Sequence, residues 1–100
     1  MSTRSHPIME LLDLLGKKWQ LRILWELSKS DHTFRELQTA CGDLSPTLIN
    51  RRIKELQDAG LLEKREPSGY GLTHLGEELI AYLGPLNNWS KKWARTKAAC

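Results

Sequence analysis

The chain has 100 residues, 40% of them hydrophobic and 27% charged, with a formal net charge of +3 at pH 7. That length fits one domain over residues 1–100 and excludes a multidomain machine. No apolar run reaches membrane-span length, and Glu10 and Asp13 interrupt the N-terminal candidate, so a cytoplasmic protein without a membrane partner is expected.

The first segment crowds Ile8, Met9, Leu11, Leu12, Leu14 and Leu15 into a short stretch. Such a helix is apolar nearly all round and is expected to be covered on several sides. Lys17 and Lys18 open a second helix, where the dipole disfavours cations, and solvent exposure is expected for both. Thr33-Phe34-Arg35-Glu36 is a capping-box pattern, followed by Leu37, Ala40 and Cys41 on the face of Phe34. Gly42 and Asp43 end that helix and Leu44 packs into the turn.

A longer helix follows. Ser45 is its N-cap, Pro46 suits its first position, and Gly60 can take the left-handed conformation that ends it. Ile49, Ile53 and Leu56 recur at core spacing. Thr47, Asn50, Arg51 and Lys54 recur at i, i+3, i+4, i+7 on the opposite face. Leu61–Arg65 and Tyr70–Leu72 read as two short strands, with Glu66-Pro67-Ser68-Gly69 as a type I turn. Thr73 caps a last helix, on which Leu86, Trp89 and Trp93 share a face opposite Lys91, Lys92, Arg95 and Lys97.

Two helices joined by a tight turn and followed by a hairpin make a mainly α (α+β) winged helix-turn-helix with a two- or three-stranded wing sheet. The polar outer face of the second helix holds what a DNA groove requires: short groups that reach base edges and cations that reach phosphates. Thr47, Asn50 and Arg51 are assigned to base edges, and Ser45 to a phosphate at the helix start. Lys54, Lys64 and Arg65 are assigned to phosphates, with Thr33 and Arg35 on the supporting helix. Ser68 and Tyr70 place the wing tip. Arg52 points away from this face and is expected in a structural ion pair.

The first and last helices either cover one another within one chain or pair with a second copy. Isologous dimers are the commonest assemblies, so Ile8, Leu11, Leu12, Leu15, Leu86, Trp89 and Trp93 are assigned to a homodimer interface. Two recognition helices related by a twofold then read an inverted repeat about 34 Å apart.

Leu12–Trp19, Ile23–Leu27, Phe34–Leu37, Leu44-Ser45-Pro46, Arg52–Leu56, Gly60–Glu63 and Leu72–Gly76 together resemble HxlR-type winged-helix transcriptional regulators of the MarR-like superfamily, over about residues 6–93. The resemblance implies a homodimeric DNA-binding regulator with N- and C-terminal dimerisation helices. Many members carry a cysteine before the proline that opens the first helix, and some use it to sense oxidants; here His6 stands there. The wing is short, Trp25 replaces a residue that is often polar, and Gly84-Pro85 interrupts what reads as helix in relatives.

Other classes fit less well. His6, His32 and His74 show no ligand spacing with cysteine, and no phosphate loop, nucleophile elbow or carboxylate pair is present, so neither an enzyme, a metal nor a cofactor is expected. Cys41 and Cys100 make no disulfide framework. A winged helix that binds protein instead of DNA is the main rival, because Glu55, Asp58 and Glu63 dilute the basic field. A small-molecule effector is left open, since Trp and Leu at a dimer interface can line a cavity. Repression is the simplest mode, because occlusion of a promoter needs no activating surface.

Overall fold

The computed structural model describes residues 6–99; Cys100 lies outside them. Among these residues the chain forms five helices and a two-stranded antiparallel sheet. The helices are α1 (Pro7–Leu15), α2 (Gln20–Lys29), α3 (Phe34–Ala40), α4 (Pro46–Asp58) and α5 (His74–Ala99). Strands β1 (Leu62–Lys64) and β2 (Tyr70–Leu72) lie between α4 and α5, paired Leu62 to Leu72 and Lys64 to Tyr70. This is the winged helix-turn-helix.

The core is a single cluster. Ile23, Leu24 and Leu27 of α2 meet Leu37 and Cys41 of the α3 end, Ile49, Ile53 and Leu56 of α4, and Leu61, Leu62 and Leu72 of the hairpin. Each such Leu or Ile withdraws about 1.5–3 kcal/mol worth of apolar surface from water. Helix α2 supplies the centre, against which α1, α3, α4, α5 and β2 pack, while β1 rests on β2 and α4.

Local chemistry sets the ends of the elements. Thr33 Oγ1 accepts from Glu36 N at 3.1 Å while Glu36 Oε1 accepts from Thr33 N at 2.8 Å, a closed capping box. Ser45 Oγ accepts from Leu48 N, and Thr73 Oγ1 from Gly76 N. Gly60 at φ 80 ends α4, and Leu61 N then donates to Leu56 O. A side chain there would resist that left-handed turn.

Three sequence expectations change. The second helix begins at Gln20, not at Lys17, because Trp19 takes φ 80 and turns the chain ahead of it; an L residue in that region costs roughly 1–2 kcal/mol. The Glu66–Gly69 loop lacks the Gly69 N to Glu66 O bond of a closed type I turn and closes instead through Arg65 N donating to Gly69 O; its Glu66–Pro67 bond is cis. The last helix runs straight through Gly84-Pro85. Proline forfeits one ladder bond there, while the Leu79–Leu83 stretch and the Ala- and Lys-rich tail are good helix formers on either side. Within its own chain helix α1 is covered on one side: Leu14 and Leu15 pack on the core, whereas Ile8, Met9 and Leu12 are exposed.

The hairpin gains a third partner. His32, between α2 and α3, bridges Tyr70 through His32 N to Tyr70 O at 3.0 Å and Tyr70 N to His32 O at 2.7 Å. A two-stranded ribbon is marginal alone, so this bridge and the core contacts of Leu62 and Leu72 hold it in place.

Candidate nucleic-acid interface

The connection between α3 and α4 is held by side-chain and backbone bonds together. Gly42 and Asp43 both take positive φ, 80 and 59. Asp43 N donates to Gln38 O, and Gln38 Nε2 donates to Leu44 O at 2.7 Å. Leu44 packs against the core beneath the turn. The start of α4 is thereby presented outward at a fixed angle to α3.

Along α4 the two faces separate as the periodicity predicts. Ile49, Ile53 and Leu56 are buried; Thr47, Asn50, Arg51 and Lys54 are exposed, with Ser45 at the head of the helix. Arg51 makes no ion pair with a described residue. Lys54 meets Asp58 at 3.7 Å, but both side chains are about two-thirds exposed or more, so that pair is weak and exchangeable. Ser45 and Thr33 spend an acceptor lone pair on capping and keep their hydroxyl protons for another oxygen. Arg35 is exposed on α3.

On the wing, Lys64 and Ser68 are exposed and Tyr70 is half-buried against the core. Arg65, assigned to a phosphate from the sequence, is engaged within its own chain. Its guanidinium meets Glu63 at 3.1 Å and Asp31 at 3.5 Å and donates to the Leu72 carbonyl, clamping the hairpin to the end of α2. Gly71 leaves the room for this: a Cβ there would lie 2.5 Å from Asp31 Oδ1 and 2.9 Å from Arg65 Cζ.

Behind the outer face of α4 lies a polar cluster. Glu55 accepts from Lys17 Nζ at 3.0 Å, Gln20 Nε2 at 2.9 Å and Arg52 Nη1 at 2.7 Å. The structural ion pair expected of Arg52 is therefore present, and Lys17 is exposed as expected while also pairing with Glu55. Lys18 is exposed, its Nζ 5.5 Å from the Trp19 ring. Burial raises the Glu55 pKa, but the hydrogen bonds and charges of Lys17 and Arg52 outweigh it and hold the carboxyl below its ordinary value. Cys41 shifts the other way: burial in the core pushes its thiol up, as its place beside Leu37 implies.

Sequence reasoning missed Glu55, Gln38 and Asp31 as the groups that hold the interface. One signal was available. Gln20 falls three and four residues before Ile23 and Leu24, a polar residue on the buried face, and such a residue needs a partner.

The seven residues assigned to a dimer interface divide. Ile8, Leu12, Leu86, Trp89 and Trp93 are exposed, each 49% or more, and Leu11 is half-buried. Leu15 packs against its own core, because the turn at Gly16 folds the end of α1 onto α2. Trp89 and Trp93 stack at 6.4 Å on the open face of α5, and an open groove of about 320 Å³ between α2 and α5 is lined by Leu21, Trp25, Leu83 and Leu86 with the polar Arg22, Asn87 and Ser90. No described helix is long and apolar enough to cross a membrane.

A helix-turn-helix whose second helix presents polar and cationic side chains outward, followed by a wing, defines a DNA-binding transcription regulator. The chain belongs to the HxlR-like helix-turn-helix family, which it matches over residues 14–98. It is similar to the helix-turn-helix transcriptional regulator YvaP of Bacillus subtilis, 30% identical with 82% of each chain covered. It is also similar to the regulator MJ0925 of Methanocaldococcus jannaschii, 31% identical over 89% of this chain and 87% of the other. Among solved structures, quinone-bound YodB from B. subtilis superposes with a TM-score of 0.78 at 25% identity, covering 87% of this chain and 97% of that one. These relatives are transcriptional regulators, not enzymes.

Proposed function

We propose that the chain is a sequence-specific repressor that acts in the cytoplasm as a homodimer on an inverted repeat of double-stranded DNA. One observation carries the reading. The exposed face of α4 keeps Thr47, Asn50, Arg51 and Lys54 outward, with only the weak Lys54–Asp58 pair among them, while the nearby cations Lys17, Arg52 and Arg65 are held by carboxylates of the same chain at closer range. In this reading Asn50 and Arg51 meet base edges, with Thr47 beside them. Ser45, Lys54, Lys64, Thr33 and Arg35 meet phosphates and sugars, and Ser68 sits at the wing tip.

The dimer is supported by the open apolar residues on both terminal helices. Ile8, Leu12, Leu86, Trp89 and Trp93 leave large side chains in water that a second copy would cover. A twofold pair spaces two α4 helices for successive major grooves, and coupling two weak half-sites multiplies affinity. Repression by occlusion follows without further contacts. YodB binds a quinone; the α2–α5 groove, with an apolar floor of Leu21, Trp25, Leu83 and Leu86 and Arg22, Asn87 and Ser90 at its edge, supports keeping a small-molecule effector among this chain's partners.

Titration against random-sequence duplex at two salt concentrations, followed by selection from a random pool, tests the reading. Salt-dependent binding and recovery of an inverted repeat are expected. Absence of binding at low salt would favour a protein-interaction module.

A further inference from the structure

The turn between α1 and α2 and the middle of the recognition helix are joined by one carboxylate. Glu55 Oε2 accepts from Lys17, and its Oε1 accepts from both Gln20 and Arg52. Arg52 spans the joint: its Nε donates to the Lys18 carbonyl at 2.9 Å while its Nη1 holds Glu55. Trp19, at φ 80, lies between the two anchored residues Lys18 and Gln20. Gln20 is wholly buried, so its amide cannot exchange this bond for one to water. Lys18 to Gln20 therefore cannot rotate without breaking bonds to α4, and α4 cannot tilt without breaking bonds to the turn.

We propose that Glu55 and Arg52 are positioning residues that fix the angle between the recognition helix and α1, and so set the half-site spacing the paired chain accepts. This rests on the reading above, in which α1 contributes to the dimer and α4 enters DNA. The lever is sensitive. Helix α4 has 13 residues and is roughly 20 Å long at ~1.5 Å per residue. A tilt of about 10° about Glu55 moves the start of the helix, roughly 14 Å away, by about 2.4 Å, a large part of the ~3.4 Å rise of one base pair per strand. Neither residue lies on the outward face of α4: Arg52 is mostly buried and Glu55 half-buried. They govern where two half-sites must lie, not how tightly one is held.

The test uses the duplex that the full-length wild type selects from a random pool, remade with its spacer changed by one and two base pairs, and an isolated half-site. Three variants are compared. Glu55→Gln removes the charge at the joint. Arg52→Lys keeps the charge but lacks the planar fork that bridges two acceptors. Lys17→Ala removes one arm from a half-exposed position, so it reports even if the Glu55 variant does not fold.

The wild type is expected to lose about tenfold or more in affinity at a spacer error of two base pairs, as the second half-site disengages. Arg52→Lys and Glu55→Gln are expected to flatten that loss to about threefold, with half-site affinity within about twofold of wild type. Lys17→Ala flattens it in part. Variants that keep the wild-type spacer profile overturn this inference alone, as does a fall in half-site affinity with the profile unchanged. A wild type that selects no duplex, or one with no spacer preference, overturns the proposed function and this inference with it.

Discussion

Gly76 lies so close to Leu61 that a Cβ built on it would meet the Leu61 carbonyl oxygen at 2.3 Å. That approach seats the first turn of α5 on the entry to β1, with Thr73 Oγ1 donating to Gly60 O beside it. Gly76→Ala sets two effects against each other. Alanine favours a helix by about 1 kcal/mol, but the obstacle is backbone and cannot rotate away, and overpacking of this kind costs about 1–3 kcal/mol. The clash is expected to win, lowering the denaturant midpoint; an unchanged or raised midpoint would show that α5 shifts freely.

The two wing cations are expected to behave differently. Lys64→Ala should weaken binding to all sequences alike and lower the slope of log affinity against log salt by about 1. Arg65→Ala should leave that slope unchanged and destabilise the fold by about 1 kcal/mol, since it loses Asp31, Glu63 and the Leu72 carbonyl. Salt-dependent titration and thermal melting separate the two; a slope change for Arg65 would return it to the phosphate set.

Glu55 gives the stability a defined acid dependence. Its folded pKa lies below its ordinary value of 4.5, so folding binds fewer protons at this site than unfolding does. The contribution is complete above about pH 5 and is lost as the pH falls through the folded value. Glu55→Gln should therefore be less stable than wild type at pH 7, with the difference shrinking below pH ~4. Parallel urea titrations check this, and a gap that widens in acid would contradict the assignment.

Cys41 should be inert. Its thiol is buried and its pKa raised, so little thiolate forms near neutral pH. Iodoacetamide followed by peptide mass spectrometry should leave Cys41 unmodified in the native chain and label it after denaturation. Rapid native labelling would mean that α3 opens.

What the sequence made legible was whatever is written in local periodicity. The caps at Thr33, Ser45 and Thr73, the buried and exposed faces of α4 and the hairpin strands all follow from spacing and turn chemistry, because each depends on neighbours within a few residues. What stayed hidden depends on partners far along the chain. Asp31 is drawn to Arg65 and Glu55 to Lys17 only after folding, and no local pattern marks such pairs. Arg65 looked like Lys64, a cation at a strand end, until Asp31 and Glu63 were placed beside it. Leu15 likewise shared the apolar run of α1 with Leu12, and only the turn at Gly16 decided which of them faces the core.

Arg51 carries the central claim, that the outward face of α4 reads bases. The direct measurement is selection from a random duplex pool with wild type and with Arg51→Ala. The account predicts that the variant tolerates any base at one position of each half-site, at a cost of about 1–3 kcal/mol for the preferred duplex. Weakening spread equally over every position, with the selected sequence unchanged, would contradict it.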